Sequence, residues 1–311
     1  MTDKKNHSMV CDVETGICGV SDADELEMID FDKPKKEITL YYITDPICSH
    51  CWAIEPVLRR FTEQYGDYFH FQPLMGGLLE KWHDGPIDPA NGIYKPADVA
   101  PHWREVGAHS RMPIDGSVMI DNPVQSSYPA SRVFKIIQKN HGEAKALAYL
   151  RRTRESLFVF NQNVSDRDIL IDIVNKLDLD GKAIVEESEQ PIGQQLLEED
   201  FQQVASLGVR GFPTIVMVNN DNKGVKIVGG RPFEYYVKGL KQVVDKENMK
   251  SKPQPALSHL LNTEKLLFSK EIEEMYDIQQ EDIPAFVEKE LSQDSYQMES
   301  ILGENYFKLV D

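Results

Sequence analysis

The hydrophobic and polar positions of this chain change period several times, and each change predicts an element. Ile38 to Thr44, ITLYYIT, is rich in β-branched and aromatic residues and reads as a buried strand. Asp45 and Pro46 break it. From Cys51 onward the apolar positions fall at helical spacing, with Ile54, Val57, Leu58 and Phe61 on one face. Tyr68 to Met75 is a second strand candidate, ended by Gly76 and Gly77. Residues 80 to 130 are rich in Pro, Gly and Asn and carry Trp82, Tyr94, Trp103 and Tyr128, so they read as a long irregular stretch. Such loops are often functional. This one either offers a substrate surface or is packed down by its own aromatics.

Val124 to Phe201 returns to helical spacing. Val133, Ile136 and Ile137 make one stripe, Gly142 breaks it, and Ala146, Leu147, Leu150 and Leu157 continue another. Ser165 with Asp168 has the spacing of a capping box ahead of Ile169, Leu170, Ile173, Val174 and Leu177. A further helix spans 191 to 207, stopped by Gly208. Ile215 to Val218 and Val225 to Val228 flank turn-forming residues and predict a hairpin, and Phe233 to Val244 is helical again. The order strand, helix, strand, helical block, strand, strand, helix predicts an α/β fold whose one sheet is interrupted by an insertion. Pro253 and Pro255 then mark a linker. Beyond it, Leu257, Leu260, Leu261 and Leu266 suggest a helix, and Ser269 to Tyr276 with Ile283 to Leu291 suggest a helix–turn–helix pair. The predicted organisation is an acidic tail (1–37), a first α/β part (38–95), a mainly helical insertion (96–207), the second α/β part (208–248) and a C-terminal helical segment (249–311).

Composition narrows the function. Of 311 residues, 41% are apolar and 27% charged, as in ordinary globular proteins, and the formal net charge of −17 argues against nucleic-acid and anionic-membrane partners. Arg151, Arg152 and Arg154 leave room for one small basic patch. No apolar run approaches the ~20 residues of a membrane span. The N-terminus has no apolar core, so a cytoplasmic protein is expected. Four cysteines in a chain this long do not make a disulfide scaffold, and cytosolic disulfides are mostly catalytic or sensing.

Chemistry concentrates at Cys48-Ser-His-Cys51, where the first strand hands over to a helix. Unpaired N–H groups at a helix start stabilise a thiolate, so a depressed Cys48 pKa is expected, with Cys51 more shielded. Such a pair supports attack by Cys48 on a disulfide and resolution by Cys51. His50 tunes the thiolate or is a plain polar loop residue. A zinc site would need four ligands, and Cys11 and Cys18 are spaced too widely for a usual knuckle, so no metal and no cofactor are expected. Cys11 and Cys18 read equally as an accessory disulfide or as two unremarkable thiols. Pro213, just ahead of a strand, reads as a cis proline in a loop facing the thiols, with Phe212 offering backbone groups to an extended peptide, or as a trans proline starting the strand.

Together, Cys48-Ser-His-Cys51 with Trp52 after it, the helical insertion and Gly211-Phe-Pro-Thr214 resemble the DsbA-like branch of the thioredoxin superfamily over roughly residues 38 to 245. Within that branch the chain looks most like FrnE-type cytosolic dithiol–disulfide isomerases, and it also resembles the SpxH (YjbH) adaptors that present a regulator to the ClpXP protease. The resemblance implies a thioredoxin-like fold with a helical insertion. It also implies Cys48 as nucleophile, Cys51 as resolving thiol, and a cis peptide at Phe212-Pro213, with Thr214 following in the substrate loop. Gly211-Phe212 departs from the more usual Val or Thr neighbour of the proline. Intact cysteines argue against the related glutathione transferase kappa and 2-hydroxychromene-2-carboxylate isomerase chemistry, which usually carries serine. The expected function is dithiol–disulfide exchange on protein or small-molecule disulfides. The alternative is an adaptor binding a regulator and a protease.

Overall fold

The computed structural model describes residues 10–12, 17–19, 38–83, 88, 92–244 and 249–310. The chain divides into two units, Met1–Lys35 and Lys36–Asp311. In the first, β1 (Val10–Asp12) pairs antiparallel with β2 (Ile17–Gly19), and the backbone register sets Cys11 opposite Cys18. The acidic run expected over residues 22 to 32 lies outside the described residues.

The second unit opens with β3 (Ile38–Thr44), α1 (Ser49–Ala53), α2 (Glu55–Tyr65) and β4 (Phe69–Met75). β3 and β4 pair in parallel, which requires the crossover that α1 and α2 supply. The insertion follows: α3 (Pro96–Ser110), α4 (Val118–Asp121), α5 (Tyr128–His141), α6 (Glu143–Arg154), a π-helical turn at Glu155–Val159, α7 (Arg167–Asn175), α8 (Gly181–Ser188) and α9 (Pro191–Ser206). The chain returns to the sheet as β5 (Thr214–Asn219) and β6 (Gly224–Val228) and closes this part with α10 (Phe233–Val243). The strand order is β4-β3-β5-β6, with β5 and β6 antiparallel to their neighbours. β3 is central and covered on both faces. Leu40 and Tyr42 pack with Phe61 of α2 and Leu240 of α10, while Ile43 packs with Val204 of α9 and Val216. The alternation follows from the two-residue period of a strand.

Two local expectations are corrected. The stretch 80–130 is not irregular throughout, because α3 is fifteen residues long. Pro96 sits at its first position, where no N–H is needed, and the Asp98 carboxylate accepts the N–H groups of Tyr94 and Lys95, both at 3.1 Å. Prolines counted as breakers here start a helix. Ser165 does not cap α7. Its hydroxyl accepts the Gln125 N–H at 2.9 Å and donates to the Ser126 carbonyl at 3.3 Å, so Asp166 takes the cap position instead.

The C-terminal segment contains the expected helices, α11 (Leu257–Glu264), α12 (Ser269–Tyr276) and α13 (Ile283–Glu290). It also contains a sheet that sequence periodicity did not reveal. β7 (Leu266–Phe268) joins a hairpin of β8 (Tyr296–Ile301) and β9 (Glu304–Leu309) in the order β7-β9-β8. The result is a helix–turn–helix carrying a two-stranded wing around Leu261, Ile272, Val287 and Phe307. It is joined to the rest by buried charge. Arg151 makes a two-pronged bond to Glu271 (2.6 and 2.8 Å), and Arg59 pairs with Glu264 and lies 3.6 Å from Glu271. Arg111 reaches Glu304 at 3.0 and 3.2 Å. Phe268, fully buried, stands edge-on to Trp52 at 5.8 Å. The C-terminal part is thus built onto the helix that follows the two cysteines.

Candidate functional site

Asp45 fixes the turn between β3 and α1. Its buried carboxylate accepts the Ile47 N–H (3.0 Å), the Leu78 N–H (2.8 Å) and the Ser127 hydroxyl (2.9 Å), so it ties the turn to the loop after β4 and to the insertion. Burial raises its pKa against those hydrogen bonds. Cys48 follows as the N-cap of α1, with extended backbone, and its sulfur accepts the Cys51 N–H at 3.3 Å. α1 lasts five residues and gives way to α2, where Pro56 lacks the N–H that would continue the ladder to Trp52.

Opposite the sulfur stands the loop before β5. The Phe212–Pro213 peptide is cis. The Cys48 thiol donates a long contact, 3.9 Å, to the Phe212 carbonyl. Thr214 starts β5 beside Ile43, and its hydroxyl donates to the Gly211 carbonyl at 2.7 Å, so it braces its own loop. Cys48, Phe212 and Pro213 therefore meet across one gap. His50 points outward and lies 5.6 Å, ring to ring, from His102 of α3. Partial burial lowers the His50 pKa, and the neighbouring His102 lowers it further.

Burial works against the charge that the helix terminus favours. Burial pushes the Cys48 thiol well up, and its hydrogen bond with Cys51 adds to this. Cys51 is fully buried, which by itself would raise it. The hydrogen bond from Cys48, the charge of Arg154 and a hydrogen bond with Thr44 together bring it below the usual thiol range. Asp45, Ser127, His102 and Arg154 were not singled out as site residues from the sequence. Only Asp45 carried a local signal, as the residue ending the strand.

A cavity of about 330 Å³ opens beside Cys48, walled by His50, Trp82, His102, Trp103 and Phe212. The two tryptophans both line it and hold the fold. Trp82 donates to the Val124 carbonyl at 2.8 Å, and Trp103 packs edge-on against Phe158 at 4.9 Å. A larger cleft, about 610 Å³, lies along α2, α6 and α11, but its walls contain no thiol. Among the described residues no group of three or more His, Cys, Asp or Glu is placed to hold a metal ion, and no helix is long and apolar enough to cross a membrane.

The thioredoxin family model matches residues 41–238. The ClpXP adapter protein SpxH of Halalkalibacterium halodurans is 32% identical over 278 residues, covering 86% of this chain and 87% of that protein. The chain belongs to the SpxH family of thioredoxin-like proteins. The SpxH of Bacillus subtilis is 28% identical over 262 residues, 83% of each chain. Among solved structures, the cytosolic disulfide reductase DsbM of Pseudomonas aeruginosa superposes with a TM-score of 0.52 at 19% identity, over 66% of this chain and 98% of its own. That likeness establishes the DsbA-like fold. SpxH relatives match well beyond residue 238, whereas DsbM is matched over almost its whole length by two thirds of this chain.

Proposed function

We propose that this chain is a cytoplasmic adaptor that binds a regulator protein and delivers it to the ClpXP protease. The observation that carries the reading is the extent of similarity to SpxH proteins. The 91% of the chain aligned with the SpxH of Shouchella clausii leaves fewer residues outside than the whole C-terminal segment, 257–310, contains. The buried ion pairs that weld this segment to α2 and α6 support a single body able to hold one partner while meeting another. No nucleic-acid or membrane partner belongs to this function.

The test is reconstituted degradation of an Spx-type regulator by ClpXP with the full-length chain added. Degradation accelerates when the chain is present, and the acceleration survives Cys48→Ser. No acceleration at stoichiometric chain overturns the adaptor reading.

A second reading is supported by the thiols themselves. Cys48, against Phe212 and the cis Pro213, with Cys51 behind it and His50 at the rim, is an arrangement suited to exchange with protein or small-molecule disulfides. On this reading Cys48 attacks and Cys51 resolves. Insulin reduction by the wild type that disappears in Cys48→Ser supports it, and equal turnover by both removes it.

A further inference from the structure

Two of the chain's four cysteines play no part in the site beside Phe212. Cys11 lies on β1 and Cys18 on β2, and the register sets Val10 opposite Gly19, Cys11 opposite Cys18 and Asp12 opposite Ile17. Directly opposed positions in an antiparallel pair share one face, and their Cα atoms stand about 4.5 or 5.5 Å apart according to the hydrogen-bond pattern. Both separations fall inside the roughly 4.4–6.8 Å window of a disulfide. A slip of one residue would put the two cysteines on opposite faces. Four residues, Val13 to Gly16, separate the strands in sequence, a common hairpin length, and Gly16 is a turn former.

A two-stranded ribbon with three residues a side is at best marginal in water. Its other opposed pairs set neither two large apolar residues nor two opposite charges across from each other, so they add little cross-strand attraction. The cysteine pair is what the register supplies to hold the ribbon. We propose that Cys11 and Cys18 are a second redox-active pair, which low-molecular-weight disulfides such as glutathione disulfide close into a cross-strand disulfide. The proposal is independent of the reading of Cys48 and Cys51 as an exchanging pair.

The oxidant balances the reaction. One thiol loses its proton and attacks R–S–S–R, a mixed disulfide forms, and R–S⁻ leaves. The other thiol loses its proton and attacks the protein sulfur of that mixed disulfide, and the second R–S⁻ leaves. The protein gives up two electrons and two protons, and the oxidant becomes two R–SH. The opposed register favours the second attack, because the resolving cysteine already stands across the strand pair from the mixed disulfide. Closing the ring removes open conformations of the chain and so shifts the ribbon toward its paired state.

The test uses the full-length chain carrying Cys48→Ser and Cys51→Ser, in which Cys11 and Cys18 are the only thiols. It is equilibrated with reduced and oxidised glutathione, quenched in acid, alkylated and weighed intact. The expected product is a monomer lighter than the reduced chain by two hydrogen atoms, unalkylated and free of glutathione. A register control adds Ile17→Cys and Cys18→Ser, which moves the second thiol to the other face. Without the register the two rings would close within about 2-fold of each other, because loop entropy hardly changes with one residue. With it, the strain of the misplaced bond disfavours the control ring at least ~10-fold. Equal closure of the two rings, glutathione retained on both sulfurs, or disulfide-linked dimers overturn the proposal. So does one zinc ion held per reduced chain tightly enough to block both alkylation and closure. Where the serine substitutions unfold the chain, the wild type treated with glutathione disulfide decides. Cleavage after Glu14 separates the two cysteines in sequence, so fragments bearing Cys11 and Cys18 stay joined until reduced. Fragments that part without reductant, or Cys11 joined to another cysteine, overturn the proposal.

Discussion

Replacing Glu271 by alanine should loosen the C-terminal helix–turn–helix from the thioredoxin-like body. The Glu271 side chain is 1% exposed and Arg151 is 3% exposed. Glu271 takes both terminal nitrogens of Arg151 and also caps α12 by accepting the Phe268 N–H at 3.0 Å. Alanine leaves Arg151 buried with Glu155 as its remaining paired carboxylate (2.7 Å) and Glu264 acting from farther off, and unmasks its repulsion with Arg59. Removing one partner of a buried pair costs about 3–5 kcal/mol. The lost cap falls within that range, since caps contribute about 1 kcal/mol. Replacing both partners by methionine should recover most of the loss, because well-packed apolar substitutes for buried pairs are often neutral. Recovery stays incomplete because Arg151 also lies over the rings of Trp52 (4.9 Å) and Phe268 (5.7 Å), contacts that contribute about 0.5–2 kcal/mol. Urea unfolding by tryptophan fluorescence, with hydrogen exchange over residues 257–310, reads both variants. A loss below about 1 kcal/mol in Glu271→Ala, or a double variant no more stable than the single one, would refute the claim that this pair holds the junction.

Three further outcomes are expected. Asp45 has a folded pKa raised above its ordinary 3.8, so its contribution is full below that value and is lost as pH rises through the folded value. Asp45→Asn should flatten the fall in stability over that window in denaturation curves taken across pH. Glu264 is depressed below 4.5: burial opposes the shift, but Arg59 and Arg151 outweigh it. Its contribution is therefore present above 4.5 and lost as pH falls through the folded value. Hydrogen exchange of residues 257–310 should rise in acid, and Glu264→Gln should show the same loosening at neutral pH. In Gly76→Ala the new Cβ would stand 2.3 Å from the Phe212 ring, so the ring must swing away. The Cys48 alkylation rate should rise several-fold with little change in thermal midpoint, and an unchanged rate counts against the Phe212 wall.

The sheet was legible because its signals are local. Ile38–Thr44 announces itself by β-branched residues and ends where Asp45 and Pro46 stand, and Gly208 and the Asn219–Lys223 turn frame the returning strands. The cysteine pair was legible for the same reason. α3 was missed because Pro96 occupies its first position, where it does no harm, Pro101 stands inside it, and composition alone does not distinguish that from a loop. The wing was missed because β8 is largely exposed and polar, with no alternation to read. The surroundings of the dithiol were not legible for a different reason. The groups that pack beneath it sit far apart in sequence, Arg154 being 110 residues from Thr44, and burial is a tertiary property.

The junction and the thiols share one row of charges. Glu55 pairs with Arg154 beneath the dithiol and stands one helical turn from Arg59 on α2, at 3.9 Å, and Arg59 in turn meets Glu264 and Glu271 of the C-terminal segment. With one of the two thiols ionised, closing the Cys48–Cys51 disulfide removes one negative charge from the inner end of this row. At an effective dielectric of about 20, two unit charges about 10 Å apart would interact by roughly 2 kcal/mol. That is less than the roughly 3–5 kcal/mol needed to break a buried pair at the far end. Oxidation therefore tunes the junction without releasing it. A partner held by the C-terminal segment should sense the redox state as a change of affinity of at most about 30-fold, with the segment docked in both states.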